Sequence, residues 1–372
     1  MNYLAQMDNR RIVWITGSWS YDTDKDVVPF LIQKTNLNID WWVLTDSKTK
    51  TQLTDSGLFK TYNIPHRGRD IRRILDYKKL FVVCKIRDAQ LIYSNELGMP
   101  FYYPTLFHHV GNEVPIVHAA HNVIPYPVWP WFMKIYVKYI FRKNQHFHLF
   151  SKFTAAYFNS HYPNKLMFYC PMSLKGYGLS ITNKYKTFSE KLNLLFFGNV
   201  VENKRLDLLI AAIKGLSVDI QDKIHLNICG NCKNEEVFLQ QIDGCNAITA
   251  YFHHIPDEEI PELFTKHQFL MLPYEDVAQS GPHMIAYYYN LPVIASDIDG
   301  FKERVDDGIN GFLFKSGDVN DLKAKIIQAT FMTEYERREM QSCLKSFAES
   351  NFSLETVSEQ YIKYFKEIIT KQ

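Results

Sequence analysis

The sequence predicts an α/β chain of two Rossmann-like domains, each built on a parallel sheet, and three observations predict it. The chain has 372 residues, too many for one ordinary domain and suited to two. In both halves, short β-rich apolar runs that stop at glycine alternate with amphipathic helical stretches, the pattern of repeated βα units. Between the halves the pattern lapses in a segment from Pro171 to Gly178 that breaks regular structure.

Taken in order, Arg11 to Thr16 is a strand stopped by Gly17 and Ser18, Val27 to Gln33 fits a helix, and Asp40 to Thr45 is a second strand. Lys60 to Pro65 reads as the next strand. Asp70 to Cys84 reads as a charged helix offering Ile71, Ile74, Leu75 and Leu80 for one face. Ala89 to Tyr93 and Pro115 to His118 resemble buried strands, and Phe153 to Asn159 and Leu166 to Cys170 continue a first domain over residues 1–175. The linker falls in residues 171–190. A second domain over 190–350 opens on the strand Leu192 to Phe197, ended by Gly198; the helix Leu206 to Leu216 and the strand Ile224 to Cys229, ended by Gly230, follow. Glu235 to Ile242 is helical, and Ile248 to Phe252, Phe269 to Leu272 and Val293 to Ala295 supply further strands. Residues 351–372 read as a helix with Val357, Tyr361, Tyr364 and Ile368 along one side. Ligands of such sheets sit beyond the carboxyl ends of the strands.

Composition bounds the class. Apolar residues are 46% and charged residues 22%, the profile of a globular protein rather than a disordered or fibrous one. Met1 to Arg11 lacks the apolar core of a signal peptide, and no uncharged apolar run reaches 18 residues, so a cytoplasmic protein without a membrane span is expected. The six cysteines are scattered and read as reduced thiols. Cys229 and Cys232 have the spacing of a metal half-site but no second pair, and no metal site is expected. A net charge of +2 conceals a basic first half and an acidic second half, which fits a polyanionic or membrane-surface partner or plain solvated surface. No nucleic-acid partner is expected. The stretch from Tyr126 through Trp129, Trp131 and Phe132 to Arg142 is basic and aromatic, with Lys134 and Lys138. Two readings fit it: a helix lying peripherally in a membrane interface, or a core helix with basic ends.

Two constellations carry chemistry. Gly198 closes a strand and is followed by a polar loop with Lys204 and Arg205 and then an apolar helix. That order puts cations beside unpaired helix amides and makes a cradle for a diphosphate, or a turn with solvated cations. Gln279, Ser280 and Gly281 precede a second apolar helix, where the N-terminal amides can receive an anion, or where Ser280 is simply the cap.

With Pro292 to Asp297 and Glu303 to Phe312, these motifs come in the order and spacing of a GT-B glycosyltransferase, and residues 192–325 resemble family 4, the glycosyl transferases group 1. The Gln279-Ser280-Gly281 variant resembles that of bacterial surface-polysaccharide enzymes. The resemblance implies two facing Rossmann-like domains, the first taking the acceptor and the second a UDP- or GDP-linked sugar, and a C-terminal helix that returns to the first. It implies a retaining, metal-independent hexosyltransferase with no cofactor besides the nucleotide-sugar donor. Lys204 matches the lysine set against the donor diphosphate, and Ser280 and Gly281 the turn that receives it. Ile255 falls where the base is held. Glu303, before the Asp306-Asp307-Gly308 turn, fits a contact to the donor or a role in stabilising the local loop and helix. The second diphosphate cation of the family has no counterpart at Asn199 or Val201, and Arg205 is the expected substitute. The family's paired glutamates are replaced by Val277 and Ile285, with Glu275 near enough in sequence to serve. In the first half, His121, after the strand that holds His118, resembles the histidine facing the donor sugar, although a structural role fits either histidine. Gly17 fits a loop near acceptor and phosphates, or a tight turn.

The function implied is transfer of a sugar to a saccharide or polyprenyl-linked acceptor in surface polysaccharide synthesis, in the cytoplasm or peripherally at the inner face of the membrane. A nucleotide-sugar epimerase on the same scaffold and a catalytically inactive GT-B scaffold are the alternatives.

Overall fold

The computed structural model describes residues 10–46, 57–124 and 129–370, so Tyr126 and the N-terminal nine residues lie outside the description. The chain divides into two compact units, one of Met1–Ser173 with Leu354–Gln372 and one of Leu174–Ser353.

The first unit carries a seven-stranded sheet of β1 (Arg11–Gly17), β2 (Asn38–Thr45), β3 (Lys60–Asn63), β4 (Leu91–Asn95), β5 (Ile116–Ala120), β6 (His146–Leu149) and β7 (Leu166–Tyr169). Its order is β3-β2-β1-β4-β5-β6-β7, and every pair is parallel. The direction of winding reverses between β1 and β4, and in sheets of this kind ligands are received beyond the carboxyl ends of the strands at that point. β1, β4 and β5 are buried almost throughout, as a sheet covered on both faces requires.

β6 escapes a reading by hydropathy because two of its four residues are histidines. His148 is nonetheless fully buried: its Nε2 donates to the Cys170 carbonyl at 2.8 Å and its Nδ1 accepts from the Tyr93 hydroxyl at 2.6 Å. Burial pushes its pKa down to about 3, so it stays a neutral, fully bonded core residue. His118 on β5 is likewise buried against the Tyr103 hydroxyl, its pKa pushed down to about 3 by burial. Its role is structural.

One helix differs from expectation in its facing. The helix Arg73–Val83 buries Tyr77, Leu80 and Phe81, while Leu75 and the preceding Ile71 are exposed, Ile71 at 69%. The apolar positions at the start of the segment belong to a surface, because the helix begins after Ile71 and its buried face is set by residues 77, 80 and 81.

The second unit carries a six-stranded sheet of β8 (Leu192–Phe197), β9 (Ile224–Cys229), β10 (Ile248–Tyr251), β11 (Phe269–Leu272), β12 (Val293–Ser296) and β13 (Gly311–Phe314) in the order β10-β9-β8-β11-β12-β13. All pairs are again parallel, and the winding reverses between β8 and β11. The irregular segment before β8 is tied to this unit: the backbone N–H groups of Lys184 and Tyr185 donate to the buried Glu262 carboxylate at 2.8 and 2.9 Å. The helix Leu354–Thr370 belongs to the first unit, where Tyr361 and Phe365 pack on Trp14 and Tyr93.

Candidate functional site

In the second unit the site forms where β8 and β11 end. Gly198 adopts a φ of +106°, a conformation L side chains rarely take. A Cβ there would lie 2.7 Å from the Lys204 ammonium and 3.7 Å from Pro282. Gly198 is therefore what allows a lysine and the first turn of the helix Gly281–Tyr288 to converge on one strand end. Ser280 caps that helix by accepting from the His283 N–H; Pro282 has no N–H to give, which leaves the Gly281 N–H of the first turn for another acceptor.

The Lys204 side chain is half-buried, with the Tyr274 ring 5.4 Å from its ammonium. Among the described residues no carboxylate comes within ion-pair distance of it. Burial accordingly pushes its pKa down to about 8. A desolvated ammonium at a strand end, beside the first turn of a helix, is an arrangement that can hold an anion. His283, in the same helical turn, is fully buried and neutral: burial and then the nearby Arg304 hold its pKa well below the ordinary value.

The other residues expected in this unit fall around that centre unequally. Arg205 is diverted, its guanidinium 3.0 Å from Asp207 and 3.8 Å from Glu275, so two expected donor contacts are engaged with each other at an exposed edge. Gln279 is half-buried in the loop before the helix. Ile255 is buried in the loop after β10, two strands from β8, where only its backbone can meet a ligand. Glu303 is nearly buried and 2.8 Å from Arg304. Ile285 is buried in the helix, so an apolar core contact stands where the family pattern has a glutamate. Cys229 is buried at the end of β9, and no group of three or more His, Cys, Asp or Glu side chains is placed to hold a metal among the described residues.

In the first unit a second constellation lies at the ends of β1, β4 and β5. The buried Glu96 carboxylate accepts from the Gly98 N–H and the Trp19 indole. A Cβ on Gly17 would sit 1.8 Å from Glu96 Oε2, so glycine is required there for close approach. His121 Nε2 donates to Asn95 Oδ1 at 2.7 Å; Asn95 Nδ2 in turn donates to Asp24 at 3.0 Å, which fixes the amide and hence the imidazole tautomer. The Asp24 carboxylate also accepts from Trp14 at 3.0 Å and Thr16 at 2.6 Å. The imidazole stacks on Phe150 with centroids 4.6 Å apart and meets the Trp19 ring in an edge-type arrangement with centroids 5.0 Å apart. Sequence reading missed Asn95, Asp24 and Trp19, because nothing local to any of them signals a partner dozens of residues away.

Cavities elsewhere do not compete with these centres. One of about 600 Å³, lined by His108, Pro115, Tyr139 and His146, opens at the amino ends of β5 and β6, the opposite edge from that where parallel sheets receive ligands.

Residues 179–342 match the family model of the glycosyl transferases group 1. A 41.2 kDa protein in the cps region of Klebsiella pneumoniae is 26% identical over 184 residues, 50% of this chain and 49% of that protein. A glycosyltransferase of Methanocaldococcus jannaschii is 24% identical over 184 residues, 49% of this chain and 47% of that protein. The chain thus spans about half the length of the curated relatives it matches. Among solved structures, Anabaena Alr3699/HepE in complex with UDP-glucose aligns with a TM-score of 0.75 at 15% identity, over 96% of this chain and 100% of that one. Sucrose-phosphate synthase from Thermosynechococcus elongatus aligns with a TM-score of 0.76 at 14% identity, over 98% and 100%. Likeness at these identities is a likeness of fold.

Proposed function

We propose, from the premise that residues 179–342 form a glycosyl transferases group 1 domain on a GT-B fold, that this chain transfers a sugar from a nucleotide-diphosphate donor to a saccharide or lipid-linked saccharide acceptor in the assembly of a bacterial surface polysaccharide. One observation carries the reading: the half-buried Lys204 ammonium, with no carboxylate partner among the described residues, stands at Gly198 beside the first turn of the helix from Gly281. The cps-region relative supports the polysaccharide role.

In this reading the bond between the anomeric carbon and the β-phosphate oxygen breaks, and the acceptor hydroxyl forms its bond on the same face, with retention. The acceptor proton passes to the leaving phosphate, so no carboxylate base and no metal is called on. Charge developing on the diphosphate is met by Lys204 and the Gly281 N–H at the helix start. His121, held by Asn95 in one tautomer, contacts donor or acceptor, and the loop at Ile255 receives the base through its backbone.

Calorimetry with UDP, GDP and ADP tests the donor assignment, followed by a panel of sugars on whichever nucleotide binds. Tight binding of one nucleotide and acceptor-dependent turnover, with the donor's anomeric configuration kept in the product, is the expected result. A folded protein that binds none of them is an inactive scaffold, and epimerised donor formed without acceptor marks the epimerase.

Peripheral membrane contact is part of the same proposal. The helix Trp131–Lys143 buries Tyr136, Val137, Ile140 and Phe141 but exposes Trp131, at 72%, and Ile135. Arg69 stacks on Phe132 at 4.4 Å. In this reading one face of the helix is core, and the other, exposing Trp131 and Ile135 among lysines, meets the membrane surface. No helix among the described residues is long and apolar enough to cross a membrane. Sedimentation with vesicles containing phosphatidylglycerol is expected to carry the protein down at low salt, and a Trp131→Ser, Ile135→Ser double variant to lose several-fold in bound fraction. Equal sedimentation of variant and parent overturns this contact.

A further inference from the structure

Trp19 follows β1 by two residues, at the carboxyl end of a central strand of the seven-stranded sheet, and 52% of its surface is exposed. Sheets of this kind take their ligands in that region. We propose that the Trp19 indole is the platform on which a pyranose ring of the acceptor saccharide stacks. The inference rests on the transfer reading above and names the group that meets the acceptor.

The indole is fixed by its polar end. Its N–H donates to the Glu96 carboxylate, which is buried just beyond β4 and also accepts from the N–H groups of Leu97 and Gly98. Gly17 makes room for both groups: an added Cβ would lie 1.8 Å from Glu96 Oε2 and 2.7 Å from Trp19 Nε1, so carboxylate and indole rest on bare backbone. The His121 ring adjoins the indole at 66°, with centroids 5.0 Å apart, and is itself held by Asn95. A ring tied in this way has given up its rotamer freedom before any ligand arrives, and stacking on it costs little further entropy.

About half of a large, mostly apolar side chain is nonetheless left in water, an unfavourable exposure that a ligand relieves by covering it. The chemistry of the ring selects that ligand. With the N–H committed to Glu96, what the indole offers is its π face, whose quadrupole attracts C–H bonds carrying partial positive charge. The axial C–H bonds of a pyranose form such a face, while its hydroxyls point outward around the rim and keep their hydrogen bonds. A nucleotide base also stacks on aromatic rings, but in the transfer reading the nucleotide belongs to the second unit, at Lys204 and the turn before Gly281. The ring of the first unit is left to the sugar that carries no nucleotide.

Saturation-transfer NMR on the full chain tests the platform, with the methyl α- and β-glycosides of glucose, galactose, mannose and N-acetylglucosamine as probes. Calorimetry with UDP, or with GDP or ADP if that is the nucleotide bound, reads the donor site separately. At least one glycoside is expected to receive saturation at its ring C–H protons in the parent, and Trp19→Ala to weaken it about tenfold. Trp19→Phe is expected to lose less, because it keeps a π face, and nucleotide affinity to stay near the parental value in both. Trp19→Leu replaces the alanine variant if that does not fold, and is expected to lose as much, since stacking and not apolar contact alone holds the sugar. Glycoside binding that is absent from the parent, or equal in parent and Trp19→Ala, overturns the platform and leaves the donor reading standing. Nucleotide-sugar affinity that falls in Trp19→Ala while glycoside binding is kept gives the ring to the donor and overturns it too. A parent that binds a glycoside through Trp19 but no nucleoside diphosphate keeps the sugar contact and overturns the transfer reading.

Discussion

Replacing Lys204 with alanine is expected to weaken nucleoside diphosphate binding roughly ten- to hundredfold, the range for loss of a charge-assisted hydrogen bond, and to lower donor turnover by about 10²–10³, the range for loss of one group that stabilises a developing anion. The turnover effect exceeds the binding effect because the leaving diphosphate gains charge as the glycosidic bond breaks. Calorimetry and single-turnover rates separate the two. Equal losses in both would mean that Lys204 only holds the donor.

The same residue gives a pH dependence whose sign follows from its environment. Burial lowers its pKa from the usual 10.5 to about 8 in the empty protein. Between those values the unfolded chain holds a proton that the folded chain has released, so this group's contribution to folding stability rises with pH across that window and is unfavourable below it. At neutral pH Lys204 thus destabilises the empty protein, and Lys204→Met is expected to melt higher than the parent at pH 7, with the difference shrinking toward pH 10. A bound diphosphate favours the charged form. Nucleotide affinity should therefore fall as pH rises above about 8, with proton uptake on binding seen as a dependence of the calorimetric heat on buffer ionisation enthalpy. Affinity that is flat from pH 7 to 10 would place the diphosphate away from Lys204.

What the sequence shows of this molecule follows the range over which its interactions act. Gly198, Lys204, Ser280 and Gly281 were legible because each lies at a strand end or helix start within a short contiguous motif, and the fold brings them together through the neighbouring strands β8 and β11. The alternation of apolar runs and helices revealed both sheets. It missed β6, because buried histidines look polar until Tyr93 and Cys170 are seen to satisfy them. The line from His121 through Asn95 to Asp24 spans three elements, and no local pattern encodes it. Ile71 and Leu75 fail in the opposite sense, apolar residues at helical spacing that face outward.

Truncation after Ser353 is expected to unfold the first unit, not merely to loosen its relation to the second. The helix Leu354–Thr370 buries Val357, Tyr361, Tyr364, Phe365, Ile368 and Ile369. At about 1.5–3 kcal/mol for each large apolar side chain buried, its loss removes roughly 10 kcal/mol or more, an upper estimate that is still comparable to the whole stability of a domain. The damage is also polar. Tyr361 closes the pocket in which Tyr93 and His148 are bonded, its hydroxyl 3.4 Å from one and 3.3 Å from the other, and water would enter beside a sheet whose central strands are buried on both faces. Hydrogen exchange of the truncated chain should therefore show β1, β4 and β5 losing protection by orders of magnitude, while β8, β9 and β11 keep theirs and the nucleotide still binds. Phe365→Ala is the graded form of the same experiment, with an expected cost of about 3–5 kcal/mol confined to the first unit. Protection of β4 unchanged by the truncation would mean that the sheet closes its own face, and the helix would then be left with a role in alignment alone.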